Sequence, residues 1–333
     1  MEKAKTRNFL FDNIKFILIT LVVVGHFIDF YIAQSDIFKS MFLFIYSFHM
    51  PLFIFISGLF HKNKDIGKKV IFLVSCGFCS KIFLTLCSKF LRNGNLKFVL
   101  LSDGGLPWYM FVLAMFVLAG YLLRNQNKVF LFFASIVLAM FVGLDKTVGD
   151  YLYLSRFVVL FPYYILGNML NSEKIVEFKQ KYKWLIIPSI LVLVGWACIC
   201  CLKIDDIYNL RYLFTAKNPF LNDLPPTGPI VRLICYLITF AVSVAIIFTV
   251  PSKKMPFISN AGKNTLNVYF YHFDFVAMLF TVDAIKNLVN FGPLGKIVIV
   301  LIAIAVSVIL SLNIFSFPLK QIRKFVYKGN QQT

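Results

Sequence analysis

Long apolar runs, separated by short polar connections, follow one another along most of the chain. A run of about 20 mostly apolar residues is long enough to cross a bilayer as an α-helix. Ten such runs predict ten helices, near residues 11–33, 41–61, 67–88, 107–123, 129–144, 153–170, 184–202, 228–250, 264–282 and 294–317. The pattern shows no internal repeat and no soluble segment, so it predicts a single all-α integral-membrane domain over residues 1–333.

The charge of the chain changes which partners are expected. A net charge of +19 would suggest nucleic acid in a soluble protein, but mean hydropathy is +0.79 and the lysines cluster between apolar runs. The alternate connections that include both termini hold about twice as many Lys and Arg residues as the others, which predicts cytoplasmic termini. We therefore expect a multi-pass protein of a bacterial plasma membrane, in contact with lipid rather than nucleic acid. The long connections 89–106 and 203–227 should face outward.

The first apolar run carries ionisable residues on one stripe. Lys15 and His26 are eleven residues apart, which brings their side chains to within about 20° of each other on a helix. Asp12 and Asp29 lie three residues outside them and extend the same stripe. Charges at membrane depth normally face protein or a watery cavity. Asp12 and Lys15 also fit ordinary helix-end residues, with Lys15 snorkelling to the interface.

Three of the four histidines fall within apolar runs. His26 and His49 are predicted at similar depths below the outer ends of adjacent helices, and His272 lies near the middle of the ninth run. We expect the three to converge, whereas His61 lies beside a lysine in an inner connection and should be solvated. A neutral imidazole can accept a proton near pH 7, and Asp29 can orient His26. A zinc site needs three or four ligands, and the lack of an H-x-x-x-H pair argues against a metal.

Several motifs occur in order along almost the whole chain: "FDNIKFILITLVVVGHF", "SFHMPLFIFISGLF", "LPWYM", "RFVVLFPYYILGNML" and "AGKNTLNVYFYHF". Together they resemble the acyltransferase-3 family of integral-membrane O-acyltransferases. Most family members have arginine where this chain has Lys15. Lysine at that position, with "IKF" and "VVVGH", is similar to the fucose 4-O-acetylase-like branch.

The resemblance implies transfer of an acetyl group from cytoplasmic acetyl-CoA to a hydroxyl of a surface polysaccharide or a lipid-linked glycan. His26 would be the general base. The residues that it implies for the site fall into three groups: His26, His49, Asp29 and His272 for catalysis; Lys15, Asp12 and Ser57 toward the coenzyme; and Trp108, Tyr109, Arg156 and Tyr271 toward the acceptor. No metal cofactor is expected.

Other interpretations of these residues remain open. Trp108 and Tyr109 also fit an aromatic belt at the outer interface, and Ser57 with the following glycine fits a close helix contact. Arg156 fits a snorkelling residue or a partner of Asp29, and the outer connection with Arg211 fits either an acceptor contact or a folded loop. A secondary transporter that uses the histidines as a proton relay is the alternative function, and a structural subunit is a third. Transporters commonly show repeated halves, which this sequence lacks.

Overall fold

The computed structural model describes residues 8–91, 98–102, 107–216, 220 and 226–328 of the chain. Within these ranges every regular element is helical and no strand occurs, as the all-α prediction requires. The α-helices in chain order are α1 Phe9–Asp29, α2 Asp36–Tyr46, α3 His49–Leu59, α4 Ile66–Leu91, α5 Trp108–Leu122, α6 Lys128–Phe141, α7 Leu154–Met169, α8 Ser172–Lys181, α9 Ile186–Leu202, α10 Ile204–Ile207, α11 Arg211–Phe214, α12 Gly228–Thr249, α13 Pro256–Ala261, α14 Thr265–Leu279, α15 Asp283–Lys286, α16 Gly292–Leu310 and α17 Leu319–Lys328.

Six helical segments of the described chain are long and apolar enough to cross a membrane: Phe9–Asp29, Asp36–Leu59, Ile66–Phe90, Lys183–Leu202, Gly228–Thr249 and Asp283–Leu310. By length and composition this is a multi-pass membrane protein. The other four predicted spans correspond to α5, α6, α7 and α14, which have 15, 14, 16 and 15 residues. At 1.5 Å per residue these helices are about 21–24 Å long, shorter than a typical hydrocarbon core of about 30 Å. The expected sidedness stays a prediction, since residues 1–7 and 329–333 lie outside the described ranges.

The second predicted helix is broken in two between Tyr46 and His49. Pro51 lacks the N–H that would bond to the carbonyl of Ser47, so this carbonyl has no partner within the helix. The Thr239 hydroxyl of α12 donates to it instead, at 2.6 Å. The indole N–H of Trp196 donates to the Ser47 hydroxyl at 3.0 Å. The break is therefore held by α9 and α12, and it places His49 at the first position of α3.

The backbones of α3 and α7 are in direct contact. A Cβ added to Gly58 would lie 2.1 Å from the carbonyl oxygen of Tyr164, and one added to Gly167 would lie 2.0 Å from that of Phe55. Small residues allow such close approach between helices in membranes, where packing rather than water expulsion drives association. The two glycines thus fix α7 against α3.

The connection between α9 and α12 is anchored to the bundle at two points. The Ser155 hydroxyl donates to the carbonyl of Ala216 at 2.5 Å. Further on, the backbone N–H of Phe220 donates to the carbonyl of Gly143 at 3.0 Å. The ring of Phe220 fills the space between two glycines, since a Cβ would lie 2.6 Å from it at Gly143 and 2.4 Å at Gly228. The short helices α10 and α11 are therefore held over one end of the bundle. Most of the other long connection, 89–106, lies outside the described residues.

One lysine is buried within a predicted span. Lys81 of α4 is 5% exposed, and its ammonium donates to the carbonyls of Val99, Leu100 and Ser102 at 2.7, 3.0 and 2.9 Å. It also lies 5.4 Å from the ring centroid of Phe111. Lys81 therefore ties the segment 98–102 to the bundle, because three carbonyls replace the water that its charge loses.

His61 was predicted to be solvated, but the structure shows it partly buried. Its ring is half-buried, accepts the Tyr164 O–H at Nδ1 at 2.6 Å, and donates from Nε2 to Asn63 at 2.8 Å. Burial lowers the pKa of His61 below its ordinary value of 6.5. The bond to Asn63 opposes this shift of the pKa, and the charges of Lys69 and Lys128 add to it. At neutral pH the ring is therefore uncharged, and it links the residues just after α3 to Tyr164 of α7.

Substitution of Gly167 tests the contact between α3 and α7. We expect Gly167→Ala to lower the free energy of unfolding by about 1–3 kcal/mol, because the new methyl group overlaps the Phe55 carbonyl. Gly195→Ala in α9 is the matched control, since a Cβ there meets nothing within 4 Å. Denaturant unfolding of the purified protein in detergent measures both. Equal stability of the two variants would contradict the contact.

The pH dependence of stability tests the burial of His61. Since the folded protein holds the pKa below 6.5, the unfolded chain binds this proton at higher pH than the folded one. The stability contributed by neutral His61 is therefore present above pH 6.5 and is lost as the pH falls below it. We expect His61→Gln to reduce the drop in melting midpoint between pH 7 and pH 5. An unchanged drop would show that His61 is not the titrating group.

Candidate active site

A cavity of about 480 Å³ lies between α1, α2, α3, α5, α7, α11 and α14. This volume is typical of sites that hold a small molecule or one part of a larger one. The residues that line it are Val22, His26, Asp29, Phe42, Tyr46, His49, Met50, Trp108, Arg156, Leu160, Arg211, Tyr212, Phe214, Thr215, Tyr269 and Phe273. Polar and aromatic side chains from seven helices therefore converge at one place in an otherwise apolar bundle.

His26 forms part of this wall and is close to a second histidine. Its ring centroid lies 5.2 Å from that of His272, 5.8 Å from that of Phe273 and 6.4 Å from that of Tyr46. His272 belongs to α14, so the two imidazoles come from opposite ends of the sequence. Within the described residues no hydrogen bond engages the His26 ring. Its nitrogen atoms therefore remain available to a ligand in the cavity and to His272.

His49 and His272 are held by backbone carbonyls. Nδ1 of His49 lies 2.8 Å from the carbonyl oxygen of Ile45. Nδ1 of His272 lies 3.1 Å from that of Val268 and 2.8 Å from that of Tyr269. A carbonyl oxygen only accepts, so we assign the ring proton to Nδ1 in both, and in the neutral ring Nε2 then carries a lone pair. The Nε2 of buried His272 has no hydrogen-bond partner among the described residues.

The three membrane histidines are grouped around the cavity. His26 and His49 line it directly, and His272 lies immediately behind His26 at 0% exposure. Tyr46 connects the first two, since its ring lies 4.7 Å from His49 and 6.4 Å from His26. Asp29 also lines the cavity, one turn beyond His26 on α1, with its side chain exposed.

Trp108 and Arg156 form one side of the cavity. The guanidinium of Arg156 lies 4.6 Å from the Trp108 ring centroid, in cation–π geometry. Arg156 is 5% exposed, so the snorkelling interpretation is wrong for this residue. Trp108 is half-buried and lines the cavity. Neither placement followed from position in the sequence alone.

Tyr109 and Ser57 lie behind the wall instead of on it. The Tyr109 hydroxyl and Ser57 Oγ are 3.1 Å apart, and Ser57 also donates to the carbonyl of Phe53 at 2.9 Å. The backbone N–H of Tyr109 donates to the hydroxyl of Tyr269 at 3.3 Å. Tyr109 therefore contacts the cavity residue Tyr269 through its backbone and Ser57 through its hydroxyl.

Three further predicted site residues, Lys15, Asp12 and Tyr271, do not line the cavity. Lys15 forms an ion pair of 2.9 Å with Asp12 near the start of α1, and it lies about 16 Å along the helix axis from His26. The Tyr271 hydroxyl donates to the carbonyl of Phe317, and its ring packs 5.4 Å from that of Phe83. Tyr271 therefore faces α4 and the segment after α16, because its neighbour His272 occupies the side of α14 that faces α1.

Several lining residues were not predicted. Tyr46 precedes His49 by three residues across the break between α2 and α3, and Tyr269 precedes His272 by three, one turn of α14. The three-residue spacing from a histidine is the sequence feature that could have identified these two tyrosines. Arg211 and Tyr212 reach the cavity from the connection between α9 and α12, for which the sequence left open an acceptor contact or an ordinary folded loop. Among the described residues no group of three potential ligands is arranged to hold a metal ion.

The fold and the cavity define a multi-pass helical membrane protein with a histidine site inside its bundle. The acyltransferase-3 family, described as an acyltransferase domain, matches residues 8–315, and the chain therefore belongs to this family.

Two bacterial relatives are similar over part of the chain. The nodulation protein NolL of Mesorhizobium japonicum is 26% identical over 255 residues, 66% of this chain and 64% of the relative. The nodulation protein NolL of Sinorhizobium fredii is 28% identical over 226 residues, 61% of this chain and 58% of the relative. The chain thus spans about three fifths of the length of these curated relatives. No solved structure matches the chain.

Substitution of His272 tests the tautomer assigned above. An asparagine amide nitrogen can take the place of Nδ1, so we expect His272→Asn to keep its bonds to the Val268 and Tyr269 carbonyls. His272→Ala loses these bonds, each contributing about 0.5–1.5 kcal/mol, and leaves a cavity. Melting midpoints in detergent should therefore fall clearly more for alanine than for asparagine. Equal losses would mean that Nδ1 does not anchor the ring.

Proposed function

We propose that this protein is a membrane O-acyltransferase that moves an acetyl group from acetyl-CoA to a hydroxyl of a glycan. The observation that carries the proposal is the His26 ring on a cavity wall, 5.2 Å from the buried ring of His272. Membership of the acyltransferase-3 family supports the class of reaction. Both similar proteins come from bacteria, which supports a bacterial plasma membrane as the location.

His26 acts as the general base in this mechanism. It takes the proton of the acceptor hydroxyl as the oxygen attacks the thioester carbonyl, and a tetrahedral oxyanion forms. When the carbon–sulfur bond breaks, the proton passes to the departing thiolate, so the products are the acetyl ester and free CoA. His272 orients His26, because its Nε2 lone pair can accept a hydrogen bond from the adjacent ring.

The oxyanion needs hydrogen-bond donors, and tyrosines are the best placed groups to supply them. Nε2 of His49 and of His272 carries a lone pair in the neutral ring, so neither nitrogen donates in that state. Tyr46 and Tyr269 line the cavity, and their rings lie 6.4 Å from His26 and 5.7 Å from His272, respectively. We assign the stabilisation of the oxyanion to their hydroxyl groups.

The donor approaches from the end of α1 that carries Lys15. The predicted inner connections are basic, and a basic entrance suits the phosphates of CoA. Lys15 is partly exposed and held at 2.9 Å from Asp12, so its charge lies at the surface of the bundle. Val22 lies seven residues beyond Lys15 on the same helix face and lines the cavity. The narrow pantetheine arm would follow this face toward His26.

The acceptor approaches from the other end, where Asp29 and the α11 segment border the cavity. This end corresponds to the outer side in the predicted orientation. The donor and acceptor would then meet at His26 from opposite sides of the membrane, which suits modification of a surface polysaccharide or of its lipid-linked precursor.

Replacement of His26 tests the assignment. In detergent, the purified protein should hydrolyse or transfer acetyl from labelled acetyl-CoA, and His26→Ala should lower kcat by at least about 10²-fold because the base is lost. His61→Gln is the control, since His61 lies outside the cavity. Melting midpoints check that both variants fold. Wild-type turnover by a well-folded His26→Ala protein would remove His26 from the mechanism.

A further inference from the structure

Two arginines from separate parts of the fold line the same cavity. Arg156 belongs to α7 and is stacked on Trp108 at 4.6 Å. Arg211 begins α11, lies 4.0 Å from the ring centroid of Tyr208, and donates to the Tyr212 hydroxyl at 2.8 Å. Aromatic faces attract guanidinium groups and restrict their orientation, so both arginines are held in place before any ligand binds.

Guanidinium groups outnumber carboxylates among the described residues of the cavity lining, where the arginine and acidic side chains are those of Arg156, Arg211 and Asp29. Arginine stays protonated at any physiological pH, so both guanidinium groups keep the charge and the N–H donors that bind anionic oxygen atoms.

We infer that the glycan acceptor of this site carries an anionic group, a phosphate or a carboxylate, which Arg156 and Arg211 bind. The inference rests on the proposed acyl transfer. The planar fork of a guanidinium matches the oxygen atoms of both groups, and the aromatic side chains Trp108 and Tyr212 suit the apolar face of a sugar ring. The anion fixes the sugar in the cavity so that one hydroxyl reaches His26.

Transfer to three acceptor probes tests the inference: methyl glucoside, methyl glucuronide and glucose 1-phosphate. We expect the wild-type protein to use at least one charged probe with a kcat/KM about tenfold above that of the neutral probe. A preference for the glucuronide identifies a carboxylate, and a preference for the sugar phosphate identifies a phosphate. Equal use of all three would overturn the inference while leaving acyl transfer intact.

Arg211→Gln identifies the group responsible for this preference. The variant should raise KM for the preferred charged probe about tenfold or more. Its kcat/KM for that probe should then equal its kcat/KM for methyl glucoside. Arg124→Gln is the matched control, because Arg124 is an exposed arginine that stacks on Tyr121 at 4.1 Å, outside the cavity lining. It should keep the preference. A preference that survives in Arg211→Gln would overturn the role of Arg211.

Binding without turnover separates this inference from the proposed function. The charged probes should raise the melting midpoint of the His26→Ala protein, and the added Arg211→Gln change should abolish that rise. If wild-type protein binds the charged probes but transfers no acetyl group, the anion site stands and the acyl-transfer proposal fails. If the charged probes neither bind nor react better than methyl glucoside, the anion site is wrong.

Discussion

The backbone contact between α3 and α7 is the constraint on which the cavity depends. Lipid tails are as apolar as the helices, so the hydrophobic effect does not drive helix association inside a membrane. Close packing between the helices has to stabilise the bundle instead. Gly58 and Gly167 permit that packing, and they place the start of α7, with Arg156, across from the start of α3, with His49. The break at Ser47 lies beside the same cavity, between Tyr46 and His49, which both line it. A bulkier residue at either glycine would displace two walls at once.

The site combines fixed and adaptable groups. His49 and His272 are fixed, since each ring is bonded to a carbonyl of its own helix. His26 lacks such a bond within the described residues and is positioned by ring contacts alone, mainly with His272 and Phe273. The base role proposed for His26 requires it to approach a hydroxyl, take its proton and release it, and this freedom suits that role. The rigid rings around it limit how far it can move.

The sequence predicted the helical bundle and the convergence of three histidines. The length of each apolar run and the position of a histidine along it can both be read from the local sequence. It could not predict which way Tyr271 faces, since that depends on α4 packing against α14. The ion pair of Lys15 with Asp12 follows from their spacing, whereas Lys81 was overlooked within an apolar run. Its three carbonyl partners belong to the segment 98–102. The periodicity of the sequence does not predict that this segment packs against the bundle.

The α9–α12 connection enters the bundle as a separate piece, secured by Ala216 and by Phe220 between Gly143 and Gly228. It contributes Arg211, Tyr212, Phe214 and Thr215 to the cavity, while the histidines belong to α1, α3 and α14. In the proposed mechanism, chemistry and recognition thus reside in different segments of one chain. Exchange of this single connection, with its two anchors retained, would then change which molecule is modified without disturbing the imidazoles to which the proposed reaction is assigned.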